Sequence, residues 1–258
     1  MSVLKVDSVV MQFGGVVAVN NLNIEVEKGH IQALIGPNGA GKTTAFNVIT
    51  GVYTPTKGNV YLNDEKITGL TPDKIAMKGI ARTFQNIRLF KNLTVLDNIL
   101  IANHLHVKSN FISSTLRLPG SKAEERHMRE KSEMLLNKLG LLHLKNEIAH
   151  SLPYGEQRKL EIARALATDA KLLLLDEPAA GMNPHETMAL SNFIHTIRDE
   201  FELTIFMIEH HMDLVMEISD KIYVLDFGQL IAEGSADEVK NNPRVIEAYL
   251  GVEEDAEN

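Results

Sequence analysis

The chain has 258 residues, 44% hydrophobic and 23% charged, with a net charge of −8 and no cysteine. This is ordinary globular composition, long enough to build a core without covalent staples. The missing cysteines exclude disulfides and thiolate metal sites, and the acidic balance argues against a broad phosphate-neutralising surface for DNA or RNA.

In chain order, Leu4–Phe13 and Val16–Val26 read as strands bounded by Gly14-Gly15 and Lys28-Gly29. Ile31–Ile35 is a compact apolar strand that runs into Gly36, and a helix begins near Lys42 and ends at Gly51. Asn59–Leu62 reads as an edge strand. Thr71 and Pro72 open a helix as N-cap and first-turn residue, and Ile80–Phe84 is a further strand. From Thr94 to about Ala167 apolar residues recur at three- and four-residue spacing, which predicts helix throughout, with a loop at Asn110–Pro119. The charged run Ser121–Lys138 fits a solvated helix face. Strand and helix alternation then resumes: Lys171–Leu175, Pro184–Glu200, Leu203–Ile208, Met212–Ile218, a hairpin of Lys221–Leu225 and Gln229–Ala232 around Phe227-Gly228, and a last helix at Val245–Leu250. The acidic residues from Glu253 to Asn258 read as a solvated, mobile end. The alternation predicts an α/β fold with a mostly parallel sheet, interrupted by an inserted helical subdomain.

Two segments carry chemistry. Gly36-Pro37-Asn38-Gly39-Ala40-Gly41-Lys42-Thr43-Thr44 is G-x-x-x-x-G-K-[ST] between a strand and a helix, the pattern of a phosphate-binding loop. Its glycines let backbone amides approach phosphate closely, and the helix adds its positive dipole end. Lys42 is placed to reach the β- and γ-phosphates of a nucleotide, and the Thr43 hydroxyl to ligate Mg²⁺. Leu172–Leu175 is an apolar strand ending in Asp176 and Glu177. Ligands bind at the carboxyl ends of parallel strands, so Asp176 is expected to hold Mg²⁺, directly or through water, and Glu177 to act as general base on an attacking water. ATP and Mg²⁺ are the expected substrate and cofactor.

With these motifs in place, the sequence resembles the nucleotide-binding domains of ABC transporters over essentially its whole length. Thr83-Phe84-Gln85-Asn86 is similar to the family's Q-loop, which implies that Gln85 contacts Mg²⁺ or water. Leu152-Pro153-Tyr154-Gly155-Glu156 resembles the signature motif, which in the family acts on the partner subunit's ATP. Residues 179–184 resemble the D-loop. Ile208-Glu209-His210-His211 resembles the switch-histidine segment, with His210, directly after the strand, as the catalytic candidate. Phe13 occupies the place of the aromatic that stacks on adenine. The resemblance implies a P-loop NTPase core formed by residues 1–93 and 168–258, an N-terminal antiparallel β subdomain, and a helical subdomain over 94–167.

Two residues depart from the family pattern. Pro153 stands where a serine hydroxyl would touch the opposing γ-phosphate, and it removes a backbone donor as well. Asn183 replaces the usual aspartate but keeps a side chain able to cap the helix that starts at Pro184. Together with Phe13-Gly14-Gly15, Ala81–Phe90 and Ala248-Tyr249-Leu250-Gly251, these departures resemble the ATPases of bacterial branched-chain amino-acid importers, the LivG type, with Asn110–Ser121 as its insertion. That resemblance implies a sister ATPase as dimer partner, two membrane permeases, an external substrate-binding protein, and a place on the cytoplasmic face of the cell membrane. It also implies no nucleic-acid partner. The start Met1–Asp7 does not read as a signal peptide, and no apolar run approaches the ~20 residues that cross a bilayer, so docking from the ATP side is expected. Another cargo, such as urea or an exported lipid, would use the same motifs.

Overall fold

The computed structural model describes residues 1–103 and 119–255. The loop read at Asn110–Pro119 and most of the 110–121 insertion fall outside the described residues. The chain divides into two units, residues 1–85 with 171–258, and residues 86–170.

The first unit holds two sheets. Strands β1 (Ser2–Phe13), β2 (Val16–Glu27), β4 (Lys57–Leu62) and β5 (Glu65–Lys66) form an antiparallel sheet in the order β2-β1-β4-β5. Asn59–Leu62 is therefore not an edge: β4 starts earlier, at Lys57, and lies between β1 and the two-residue β5. The second sheet contains β3 (Ile31–Ile35), β6 (Ile80–Arg82), β7 (Leu172–Asp176), β8 (Thr204–Ile208), β9 (Lys221–Asp226) and β10 (Gln229–Gly234), in the order β10-β9-β3-β8-β7-β6. All of its pairs are parallel except the β9–β10 hairpin. Every residue of β3, β7 and β8 is buried, as a parallel sheet covered on both faces requires. Helix α1 (Lys42–Ile49) contributes Ala45, Phe46, Val48 and Ile49 to a cluster shared with Val6, Leu22 and Ile24 of the antiparallel sheet and Leu34, Leu174 and Phe206 of the parallel one. The Phe46 and Phe206 rings lie 5.3 Å apart. The remaining helices of this unit are α2 (Pro72–Met77), α6 (Pro184–Phe201), α7 (Met212–Ile218), α8 (Ala236–Lys240) and α9 (Pro243–Asp255). Strand β6 ends at Arg82 rather than Phe84, although the Thr83 amide still donates to the Leu174 carbonyl at 2.9 Å.

The second unit contains α3 (Val95–Asn103), α4 (Pro119–Lys138) and α5 (Tyr154–Leu166). Helix does not run through it: residues 139–153 carry only short 3-10 turns at Leu142–Leu144 and Ala149–Ser151. Gly140, with φ of +71°, ends α4 in the left-handed conformation that stops a helix. Buried polar groups pin the unit together. Asn103 donates to the Ser132 hydroxyl at 2.8 Å, and the Asn98 side chain accepts from the Phe90 amide and donates to its carbonyl.

Candidate functional site

The phosphate loop leaves β3 at Gly36, where φ is +150°. A Cβ there would sit 2.0 Å from the Leu225 carbonyl oxygen, and one at Gly41 would lie 2.4 Å from the Ala18 carbonyl oxygen. Both positions tolerate only hydrogen. Gly41, with φ of +100°, is the N-cap of α1 and makes no side-chain cap, so the first amides of the helix point into the loop without an internal partner. Lys42 is buried, and its ammonium donates to the carbonyls of Gly36 at 2.7 Å and Pro37 at 2.8 Å. Burial lowers its pKa from the ordinary lysine value, opposed by the charge of Glu177. Residues 38–44 line an open cleft of about 210 Å³ together with Ala18, Glu177 and His210.

Glu177 enters this cleft from the end of β7 in a left-handed conformation, φ +46°, which is costly for a residue with a side chain and is concentrated at functional sites. Its amide donates to the Ile208 carbonyl at 2.9 Å, which ties it to the end of β8. Its carboxylate is held from two sides. His210 Nε2 lies 2.7 Å from Oε1, and Gln85 Nε2 donates to Oε2 at 2.5 Å. Two residues far apart in sequence, Gln85 and His210, thus converge on one carboxylate, and the imidazole must carry its proton on Nε2 to donate there. His211 turns away: its ring nitrogen Nδ1 is 3.2 Å from Glu209, and it stands at the N-cap position of α7 without a side-chain cap.

Two residues that the motif reading passed over organise these groups. Glu209 is buried and accepts from the amides of Ala179 at 2.7 Å, His210 at 2.8 Å and His211 at 3.1 Å. One carboxylate therefore fixes both the turn after Glu177 and the histidine segment. Arg82 on β6 donates from Nη2 to Asp176 Oδ2 at 2.6 Å. The available signal was positional, since a basic residue stands within the strand read at Ile80–Phe84, and β6 proves to be the neighbour of β7, with Arg82 opposite Leu174.

Phe13 is 43% exposed and lies outside the cleft lining, its ring edge-on to Tyr53 with centroids 5.1 Å apart. The signature-like residues belong to the second unit. Leu152 is buried, Pro153 is the N-cap of α5 without a side-chain cap, and Tyr154, Gly155 and Glu156 form its first turn. A Cβ at Gly155 would meet nothing within 4 Å, so this helix start is open. Behind it the buried Arg158 pairs with Glu161 at 2.8 Å. Asn183 caps α6 reciprocally: its side chain accepts from the Glu186 amide, and Glu186 accepts from the Asn183 amide, each at 3.0 Å.

Among the described residues no group of three or more His, Asp or Glu side chains could hold a metal by itself. A magnesium ion nevertheless suits the residues here. Of the expected magnesium residues, Thr43 lines the cleft beside Glu177, whereas Asp176 and Gln85 are not among its lining residues, and Mg²⁺ takes few protein oxygens when phosphates and water complete its shell. No helix among the described residues is long and apolar enough to cross a membrane.

Residues 19–180 match the family model described as ABC transporter, and residues 229–255 match the one described as branched-chain amino acid ATP-binding cassette transporter. Over 249 residues the chain is 47% identical to the high-affinity branched-chain amino acid transport ATP-binding protein BraF of Pseudomonas aeruginosa, covering 96% of this chain and 98% of that protein. It is 46% identical over 248 residues to the corresponding protein LivG of Escherichia coli strain K12, covering 96% and 97%. The crystal structure of a nucleotide-free ATP-binding cassette from an ABC transporter superposes with a TM-score of 0.84 at 36% identity, covering 96% of this chain and 99% of that one.

Proposed function

The chain belongs to the ABC transporter family, and from that premise we propose that it is the ATP-binding and ATP-hydrolysing subunit that energises import of leucine, isoleucine and valine. The observation that carries the reading is the Glu177 carboxylate, held between His210 and Gln85 in the cleft built by the phosphate loop.

In this reading the loop amides and Lys42 bind the phosphates, the ammonium exchanging its contacts with the Gly36 and Pro37 carbonyls for phosphate oxygens. Phe13 stacks on adenine. Glu177 accepts a proton from the attacking water as the water oxygen bonds to the terminal phosphorus and the bond to the bridging oxygen of ADP breaks. His210 and Gln85 hold the carboxylate in place through its two oxygens, which is a positional contribution to the barrier. Thr43, Gln85 and Asp176 are the residues that would hold Mg²⁺ together with the phosphates, and the ion would supply neutralisation of charge on the phosphate oxygens.

The amides at the open start of α5, around Gly155, serve a nucleotide held by a partner ATPase, so turnover requires a dimer with a sister subunit. Two permeases in the membrane and an external substrate-binding protein complete the transporter, with this chain on the cytoplasmic face of the cell membrane. Measured phosphate release tests the site: Lys42→Ala is expected to lose nearly all ATPase activity, and unchanged turnover would overturn the assignment. Uptake of labelled leucine, isoleucine and valine tests the cargo. Cells lacking this chain are expected to lose it and to regain it only with wild-type protein, and undiminished uptake in those cells would reject the cargo.

A further inference from the structure

Behind its open first turn, helix α5 is built around one peptide of the chain that follows Gln85. Glu161 and Arg164, three residues apart and so neighbours on one face of the helix, hold Arg88 by its backbone. Glu161 Oε1 accepts from the Arg88 amide at 2.9 Å. The Arg164 guanidinium donates to the Arg88 carbonyl and lies 5.0 Å from the centre of the Phe90 ring. Asn98 secures the Phe90 amide and carbonyl in the same way. The other Glu161 oxygen accepts from the buried Arg158 at 2.8 Å, and Arg158 also donates to the Tyr154 hydroxyl at 3.4 Å. A buried ion pair adds little to stability over a well-packed apolar one, so packing alone does not account for a carboxylate here. What an apolar side chain could not do is accept the Arg88 amide. Gln85 therefore sits between two fixed points of the chain. The Thr83 amide is bonded to the Leu174 carbonyl at 2.9 Å, and Arg88, five residues on, is clamped to α5. So short a span leaves the glutamine few conformations.

We propose that Glu161 is a positioning residue for Gln85: with Arg164 it fixes the Arg88 peptide, and so sets the reach of the Gln85 amide to the Glu177 carboxylate. The same contact ties that glutamine, through three residues of chain, to the helix whose first turn carries Gly155. The proposal rests on Glu177 being the base and Gln85 one of its two supports.

The test is steady-state ATPase activity of the full-length chain in the dimer with a sister ATPase whose own hydrolysis has been silenced, so that turnover passes through Glu177. Glu161→Leu alone strands the Arg158 charge and endangers the fold. The variant used is therefore Arg158→Met/Glu161→Leu, which strands none. Its thermal midpoint and its affinity for MgADP are expected to match wild type while kcat falls about tenfold. Gln85→Ala is expected to lower kcat at least as far. Adding the two α5 changes to Gln85→Ala is expected to alter kcat by less than about twofold, because groups that act through one another are not additive. Asn103→Ala, which breaks the buried bond to Ser132 in the same unit, is expected to lower the thermal midpoint and leave kcat unchanged. Wild-type kcat in the double variant, fully multiplied losses in the triple variant, or an equal loss of kcat in Asn103→Ala would overturn the role of Glu161. Undiminished kcat in Gln85→Ala would overturn the reading of Gln85 as a support of Glu177, and this proposal with it.

Discussion

Arg82 and Asp176 form a buried ion pair beside the phosphate-loop helix. Their side chains are each only 8% exposed, and Nη2 lies 2.6 Å from Oδ2. The same guanidinium donates to Asn47 Oδ1 at 2.7 Å and Thr50 Oγ1 at 3.3 Å, both in or next to α1, and lies over the rings of Phe46 and Phe84. Asp176, the expected magnesium residue, thus has one oxygen engaged by a cation of the same chain. Arg82 joins α1 to the acidic end of β7.

Replacing Arg82 by Met would leave the Asp176 carboxylate buried without its cation. Removing one partner of a buried pair costs about 3–5 kcal/mol, and the urea midpoint of Arg82→Met is expected to fall accordingly. The double variant Arg82→Met/Asp176→Asn should recover part of that loss, because no charge is then stranded. A single variant as stable as wild type would show that the pair does not carry this part of the fold.

Glu177→Gln keeps the shape of the side chain but puts an amide NH₂ in place of one of the two oxygens that accept from His210 and Gln85, and it cannot take a proton from water. With ATP it is expected to accumulate a dimer visible by size-exclusion chromatography, while wild type returns to monomer as ATP is consumed. Only monomer over a wide range of protein concentrations would count against two chains enclosing the nucleotide.

Gly36→Ala tests the close approach of β9. The added methyl carbon would sit 2.0 Å from a backbone oxygen, at a φ of +150° that L side chains avoid. The loop must shift to admit it, at a cost of about 1–3 kcal/mol. Roughly tenfold or greater loss of MgADP affinity is expected, and unaltered affinity would show that the Leu225 carbonyl does not fix the loop.

Asn183→Ala removes the side chain that accepts from the Glu186 amide at the start of α6. Losing such a cap costs about 1 kcal/mol, read as a lower thermal midpoint. Asn183→Asp retains an acceptor and is expected to be as stable as wild type.

Much of the architecture was legible because it rests on local rules. Leu172–Leu175 declared a buried parallel strand through an unbroken apolar run and Ile31–Ile35 through one interrupted only by Gln32, and the spacing of Gly36, Gly41, Lys42 and Thr43 marks a phosphate loop by itself. Helix α8 was missed although its sign was present, since Ser235 and Glu238 form a capping box ahead of Ala236–Lys240. The helical reading of residues 139–153 failed for the opposite reason: apolar spacing continued there, but Gly140 and Pro153 break the backbone.

Sequence alone determined which groups could do chemistry here, because a lysine, a carboxylate or a glycine in a motif carries its reactivity and its conformational freedom wherever the chain goes. Tertiary structure decided what each group meets. That Gln85 and His210 grip the same carboxylate and that Arg82 neutralises Asp176 both depend on the order of strands β8-β7-β6. Those contacts join residues 33 to 94 positions apart, and hydrophobic periodicity reports which face of an element is buried but not which distant element will cover it.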